Sequence, residues 1–464
     1  VNLTLAEVES CLTGMPEEGH ENVTLNSVQT DSRNVEKGDL FICIDGENFD
    51  GHEFAQAAAK AGAAAVVASR MLDDIGAPVV MVRDTVQALG RIAAHWRDTC
   101  GAKLVAVTGT AGKTTVKEML YTVISQKFTT AKNYRNFNNQ IGLPMSMLKA
   151  SCDEEIWIME LGISRRGDME ELAPIASPDI AVITNVGPGH LEGLGDEAGV
   201  AVAKTALLKH LRQAGSAIIC ADYPLLQDAA REIVDAPIEF STNKRDTPYV
   251  ASFLGGTERE GWGRFTLRTP EDEGELTAPF NGEHYAENLA CVAAVCHQLG
   301  ISRDEVIAGV QTLDADPQRF CCKEIGSATL INDTYNANPL STSRSIRTAK
   351  TMAGERPLVL LLGEMRELGT EAVKQHEILG RVVAEAAPVA CFYKGAHYDD
   401  VARGMGGGKL TKLTDTDEFI MEWGALGLTE PVVLVKGSRS LKMEEFANAL
   451  NRELNAAGTG EKSK

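Results

Sequence analysis

The residues best able to do chemistry lie between Lys103 and Thr115, in the run K-L-V-A-V-T-G-T-A-G-K-T-T. Gly109, Thr110, Ala111, Gly112, Lys113, Thr114 and Thr115 form a glycine loop carrying one cation and two consecutive hydroxyls. Such a loop can turn backbone N–H groups inward onto phosphate oxygens, reach terminal phosphates with the Lys, and offer a hydroxyl to Mg²⁺. For this the loop must sit between a strand and a helix. The apolar run Leu104–Val107 supplies a buried parallel strand, and Val116, Met119, Leu120, Val123 and Ile124 recur at helical spacing after the loop. The spacing departs from G-x-x-x-x-G-K-[ST], whose first glycine would fall at Val107 and here comes at Gly109. A glycine turn of an ordinary α/β protein is the competing reading, but Lys113 and two Thr in register argue for a bound nucleoside triphosphate.

Three further residues could serve that phosphate. Glu160 ends the apolar strand I-W-I-M-E-L-G, where an acid beside a phosphate loop can hold Mg²⁺, against the alternatives of a helix cap or ion pair. His190 follows the buried run Ile180–Asn185 in a Gly/Pro loop, a position that suits a ligand or a structural histidine equally. Lys204 stands alone on the apolar segment Ala201–Leu208, and by itself reads as a Lys whose head snorkels to solvent.

The elements that must position these groups alternate between strand and helix, so the expected fold class is α/β with three α/β domains. Residues 1–100 form the first. It has strands at Gly38–Ile44, Ala63–Ala68 and Pro78–Val82, helices at Phe54–Gly62 and Thr85–Trp96, and polar loops at Thr30–Arg33 and Asp45–His52. Those loops suit ligand contacts at strand ends and turn chemistry about equally. Thr99–Ala102 is expected to be a hinge into residues 101–313, a central P-loop domain with a mostly parallel sheet. That domain has strands at Ile156–Leu161, Ile180–Asn185 and Ala217–Cys220, an antiparallel insertion over about 245–280, and a helix at Tyr285–Leu299. Leu313–Arg319 reads as a second linker into residues 314–464, a Rossmann-like domain with strands at Thr329–Asn332, Leu358–Leu362, Val389–Tyr393 and Val432–Val435. The final A-A-G-T-G-E-K-S-K reads as a frayed tail.

Bulk properties narrow the function. The chain has 464 residues, 44% hydrophobic and 24% charged, with no apolar run long enough to span a membrane. Its N-terminus is an acidic amphipathic start rather than a basic-then-apolar leader, and a cytoplasmic location is expected. A net charge of −20 argues against nucleic-acid binding and requires local cations for any anionic substrate. The ten Cys have neither a zinc pattern nor a disulfide framework, so reduced, mostly buried thiols are expected.

Taken in order, G-T-A-G-K-T-T, the M-E-L-G strand end, N-V-x-x-x-H-L-E and the A-K helix make the chain resemble the Mur ligases, ATP-dependent amide-forming enzymes of peptidoglycan precursor synthesis. Within that family D-T-Y-N-A-N-P-L-S (Asp333–Ser341), N-F-N-N-Q-I-G (Asn136–Gly142), G-E-M-R-E-L-G (Gly363–Gly369) and V-K-G-S-R-S (Val435–Ser440) resemble the branch that joins D-Ala-D-Ala to UDP-N-acetylmuramoyl-tripeptide (UDP-MurNAc-tripeptide). The D-N-P-R mark of the diaminopimelate-adding sibling is absent. A folylpolyglutamate-type ligase would not need D-T-Y-N-A-N-P, and a non-catalytic nucleotide switch would not need Lys204, His190 and a nucleotide-sugar domain together.

The resemblance implies roles, residue by residue. Lys113 and the loop amides hold ATP phosphates, with Thr114 and Glu160 on one Mg²⁺ and His190 on a second. Lys204 becomes a carbamate bridging the metals, which reverses its bland reading. Asn288 contacts adenine, although the family has Asn where Tyr285 stands. Arg319 and Asp333 contact ATP phosphate and ribose. Asp31, Ser32 and Arg33 hold the uridine-diphosphate end, Asn138 and Asn139 line the passage of sugar and peptide, and Asn336 and Asn338 lie near the dipeptide. A monomer that closes about the two linkers is expected.

Overall fold

The computed structural model describes residues 1–460 apart from residues 47, 48, 135, 245 and 315. Two members of the Asp45–His52 loop, Glu47 and Asn48, therefore lie outside the described residues, as does Ala315 of the second linker.

The fold is α/β, built on large, mostly parallel sheets. The central sheet has nine strands, in the order 273–278, 263–268, 249–256, 238–241, 216–220, 180–183, 103–108, 156–160, 130–132. Lys103–Thr108 is buried from Leu104 onward, which explains why it reads as a continuous apolar run rather than an alternating one. It pairs in parallel with Ile180–Ile183 on one side and Ile156–Glu160 on the other. After Thr108 the chain builds the 130–132 and 156–160 side, then crosses to 180–183. That reversal opens a crevice at the C-terminal ends of these strands, so the loops after Thr108, Glu160 and Ile183 converge. The expected antiparallel strands are present as Tyr249–Gly256, Gly263–Arg268 and Glu273–Ala278, and they extend one edge of this same sheet.

A four-stranded parallel sheet (28–29, 40–42, 65–68, 79–81) precedes the central one. A six-stranded sheet follows it, in the order 321–325, 328–333, 432–436, 358–363, 390–394, 410–412. Its first strand, Cys321–Ile325, is antiparallel to Ala328–Asp333 and was not expected, because C-C-K-E-I shows no alternation. One apolar cluster runs through these three larger sheets, and a second covers the other face of the last. Among the described residues no helix is long and apolar enough to cross a membrane. The C-terminal helix Met443–Gly460 continues well into the segment expected to fray, of which residues 461–464 lie outside the described residues.

Two expectations need correction at the first junction. The helix begun at Thr85 does not stop at Trp96; Asp84 caps it and it runs to Cys100, where Gly101 (φ 69°) ends it. The proposed hinge is thus a helix terminus, and it is fastened. Trp96 Nε1 donates to the Ala150 carbonyl at 2.9 Å, and Arg97 pairs with Asp179 at 2.7 Å. Cys100 and Cys152 form a disulfide, so the thiols are not all reduced. Packing of helix 85–100 on helix 142–149 brings together two Cys that are 52 positions apart, a pairing no local pattern signals. Eight other cysteines are free, most of them buried.

Candidate active site

Side-chain size explains the two loop glycines. A Cβ at Gly109 would run into Thr184 Oγ1, and one at Gly112 (φ 79°) would lie 2.7 Å from Asn288 Oδ1. Helix Lys113–Ile124 starts directly at the loop, and Lys113 Nζ folds back onto the Gly109 carbonyl at 2.9 Å. Burial lowers the Lys113 pKa, with Glu160 opposing that shift. Thr114 Oγ1 donates to Glu160 Oε2 at 2.8 Å, and Asn138 Nδ2 donates to Glu160 Oε1 at 2.7 Å. Glu160 is buried, and among the described residues no cation lies within ion-pair distance of it. A buried carboxylate beside a hydroxyl, served only by neutral donors, is a hard-oxygen set that fits Mg²⁺.

Lys204 does not snorkel. On helix Glu197–Thr205 it is 1% exposed, and its pKa lies well below the ordinary lysine value because of burial first and the neighbouring Lys113 second. His190 adopts a left-handed conformation (φ 54°) and turns Nδ1 to the carboxylate of Glu367, which belongs to the C-terminal part of the chain. The His190 imidazole beside it lowers the Glu367 pKa, against the opposing effect of partial burial.

From the C-terminal sheet come the groups facing the loop. Asp333 ends strand 328–333, where Lys436 Nζ holds it at 2.7 Å and the Phe320 N–H at 3.2 Å. The Arg319 guanidinium lies 3.8 Å over the Tyr335 ring. Asn338 caps helix Pro339–Ala353 and donates across to the Thr110 carbonyl at 3.2 Å. These groups and the phosphate loop enclose one cavity of about 570 Å³, whose walls include Thr110–Thr115, Glu160, His190, Asn288 and Asn336.

Not every expected residue reaches this cavity. Asn138 and Asn139 do, although Asn139 spends its Oδ1 on the Gly142 N–H at 2.8 Å. Lys204 lies behind the wall, and Asp31, Ser32 and Arg33 lie apart from it. Asp31 there pairs with the exposed Arg33 at 2.6 Å and caps a short turn, and its pKa falls to about 2 through that contact. His52 of the neighbouring polar loop is buried against Asp50 at 2.6 Å, a structural arrangement. Tyr285, at the position where the family has Asn, stacks on Phe280 with 4.6 Å between centroids and donates to the Arg319 carbonyl at 3.0 Å. Lys436, Glu367 and Asn185 carry contacts that residue-by-residue reading did not assign. The signal available for Lys436 was a Lys ending an otherwise apolar strand.

Family models match along most of the chain: "Mur ligase family, catalytic domain" at residues 24–97, "Mur ligase middle domain" at 107–296 and "Mur ligase, glutamate ligase domain" at 318–439. The chain belongs to the Mur ligase family. The UDP-N-acetylmuramoyl-tripeptide–D-alanyl-D-alanine ligase of Escherichia coli K12 is 34% identical to this Mur ligase over 97% of this chain and 98% of its own. Among solved structures, MurF from Acinetobacter baumannii superposes with a TM-score of 0.87 at 26% identity, covering 97% of this chain and 99% of its own. MurF from Thermotoga maritima in complex with ADP superposes with a TM-score of 0.84 at 27% identity, covering 93% and 98%.

Proposed function

We propose that this Mur ligase joins D-Ala-D-Ala to the terminal carboxylate of UDP-MurNAc-tripeptide, converting ATP to ADP and phosphate, in peptidoglycan precursor synthesis. The observation that carries this reading is the meeting of a phosphate loop with Asp333, Arg319 and Asn338 from the C-terminal sheet in one cavity. It is joined by identity over nearly the full length with ligases of that name. We assign the UDP-sugar to residues 1–100, ATP to 101–313 and the dipeptide to 314–464, with Asp31, Ser32 and Arg33 at the uridine-diphosphate end. Asn138 and Asn139 then line the sugar–peptide passage, and Asn336 and Asn338 the dipeptide.

The chemistry follows from the leaving group. A carboxylate will not yield to an amine, because oxide would have to leave. Its oxygen instead attacks the γ-phosphorus of ATP, the bond to the β-phosphate oxygen breaks, and ADP departs. The neutral amine of the dipeptide then attacks the acyl carbon, nitrogen sheds a proton, and phosphate leaves. Lys113 and Arg319 offset the charge gathered as two anions meet, and Asn288 and Asp333 orient adenine and ribose. Thr114 and Glu160 would hold one Mg²⁺ and His190 a second. Bound there, the metals would screen phosphate charge from the incoming carboxylate. A buried lysine of lowered pKa is a nucleophilic amine, so Lys204 can add to CO₂ and lose a proton, becoming a carbamate oxygen ligand.

Phosphate release tests the reading. It is expected only when UDP-MurNAc-tripeptide and D-Ala-D-Ala are both supplied with Mg-ATP, together with a pentapeptide product by mass. Steady phosphate release from ATP alone would sink it.

A further inference from the structure

Glu287, on helix Glu283–Gln298, is buried and has a role in none of the chemistry above. Both its oxygens are taken. Oε1 accepts Asn185 Nδ2 at 2.7 Å and Arg344 Nη1 at 3.1 Å, while Oε2 accepts Arg344 Nη2 at 2.6 Å and the Tyr223 hydroxyl at 2.7 Å. Glu287 is on a helix of the central part, and Asn185 and Tyr223 follow its strands 180–183 and 216–220, but Arg344 comes from helix Pro339–Ala353 of the C-terminal part. The contact is a bidentate, charge-assisted pair made across the junction.

Asn185 carries the contact onward. Its Oδ1 accepts the Ala111 N–H at 2.8 Å, its Nδ2 donates to the Ala111 carbonyl at 3.1 Å, and its own carbonyl accepts the Thr110 N–H at 3.1 Å. Arg344 is thus linked through Glu287 and Asn185 to the backbone of the phosphate loop. When the C-terminal part swings away, Glu287 keeps three neutral donors, the Asn185 amide, the Tyr223 hydroxyl and the Cys220 thiol, and loses its only ion-pair partner among the described residues. A buried carboxylate stripped of its cation is unfavourable, so the pair favours the closed arrangement. Arg344 has room to leave, since it lines both the nucleotide cavity and a smaller one of about 250 Å³ beside it.

We propose that Arg344 and Glu287 are positioning residues that latch the C-terminal part closed and, through Asn185, hold the phosphate loop in its nucleotide-binding register only in that closed state. The latch deepens the ligase reading, resting on it for the need to close over ATP, while its structural consequence requires only a nucleotide.

The test compares the full-length wild type with Arg344→Met, Glu287→Gln, the double variant and the conservative Arg344→Lys. Hydrogen–deuterium exchange is followed in peptides spanning 109–115 and 339–345 with Mg-ADP bound, alongside steady-state kinetics with all three substrates. Each single loss of charge is expected to speed exchange in 109–115 and to lower kcat about tenfold or more, the scale of one charged hydrogen bond. KM for UDP-MurNAc-tripeptide should stay within about twofold, because its proposed site lies apart from the latch. The double variant should match either single one, and Arg344→Lys, which keeps the charge and a soluble side chain, should recover part of kcat. Unchanged exchange in 109–115, or single losses that multiply in the double variant, would overturn the latch. A wild type that binds Mg-ADP but forms no amide would overturn the ligase reading instead and leave the exchange comparison to judge the latch.

Discussion

The two junctions between the sheets are built differently. At the first, Trp96 and Arg97 are buried where they meet Ala150 and Asp179, Ile175 packs against Gly90, and the Cys100–Cys152 bond adds a covalent tie nearer the surface. At the second, the apolar cluster continues, but the contacts around the cavity are polar and partly wet. His190 and Glu367 keep 29% and 58% of their side-chain surface exposed, and Arg344 keeps 25%. An exposed contact such as His190–Glu367, which water can replace, parts at little cost, and the one ion pair there that resists parting is Arg344 on buried Glu287; buried aromatic packing does not part so readily. Motion that admits substrates is therefore expected at the second junction, with the first as a fixed mount for the loop.

That contrast can be broken in four places. The largest effect is expected at the proposed carbamate, where Lys204→Ala should reduce kcat on the order of 10³-fold with melting temperature little changed. Short carboxylates or bicarbonate should restore part of it; a fully active variant would return Lys204 to a packing role. At the mount, Trp96→Ala should cost about 3–5 kcal/mol in chemical denaturation while kcat of the folded fraction stays near wild type. Breaking the disulfide, by reduction or as Cys100→Ser, should cost about 2–4 kcal/mol of stability and again spare kcat at 25 °C. A large loss of rate in either would show that the first junction moves during turnover.

The smallest effect concerns pH at the second junction. The Glu367 carboxyl is held below its usual value by the neighbouring His190 imidazole, so the contact contributes fully above the ordinary carboxylate range. It is lost as pH falls through the depressed value. Glu367→Gln should therefore flatten the acid-side dependence of closure, measured by scattering with Mg-ADP bound, by less than about 1 kcal/mol. An unaltered acid limb would remove this contact from closure.

Much of the scaffold was legible because it rests on short-range patterning. Strand 103–108, its loop and helix 113–124 announce themselves by a continuous apolar run, glycines and a 3.6-residue period. Asp333 and Arg319 were reached through family motifs, since nothing local says that a strand end in one sheet faces a loop in another. What escaped was long-range. The Cys100–Cys152 pair, the lysine counter-ion of Asp333 and the Arg344–Glu287 clasp join residues 52, 103 and 57 positions apart. Lys204 shows the same limit from the other side: an apolar helix around one Lys does not reveal whether that Lys points out or in. Asp31–Arg33 remained ambiguous because turn-capping residues and phosphate-binding residues are the same types.

The nine-stranded sheet has one further consequence at its outer strand, Glu273–Ala278, which pairs on one side only. An unpaired strand edge is a template for a neighbouring molecule's strand. Here Glu273 and Glu275 stand on that strand, beside Glu271 and Asp272, which pair with His297 and Arg303, in a molecule already at −20. Two copies approaching edge to edge bring like charges together before any backbone bond can form, and the repulsion acts over about 8 Å at physiological ionic strength. The protein's colloidal stability is thus partly a property of this rim, and concentrated salt weakens that protection without touching the fold.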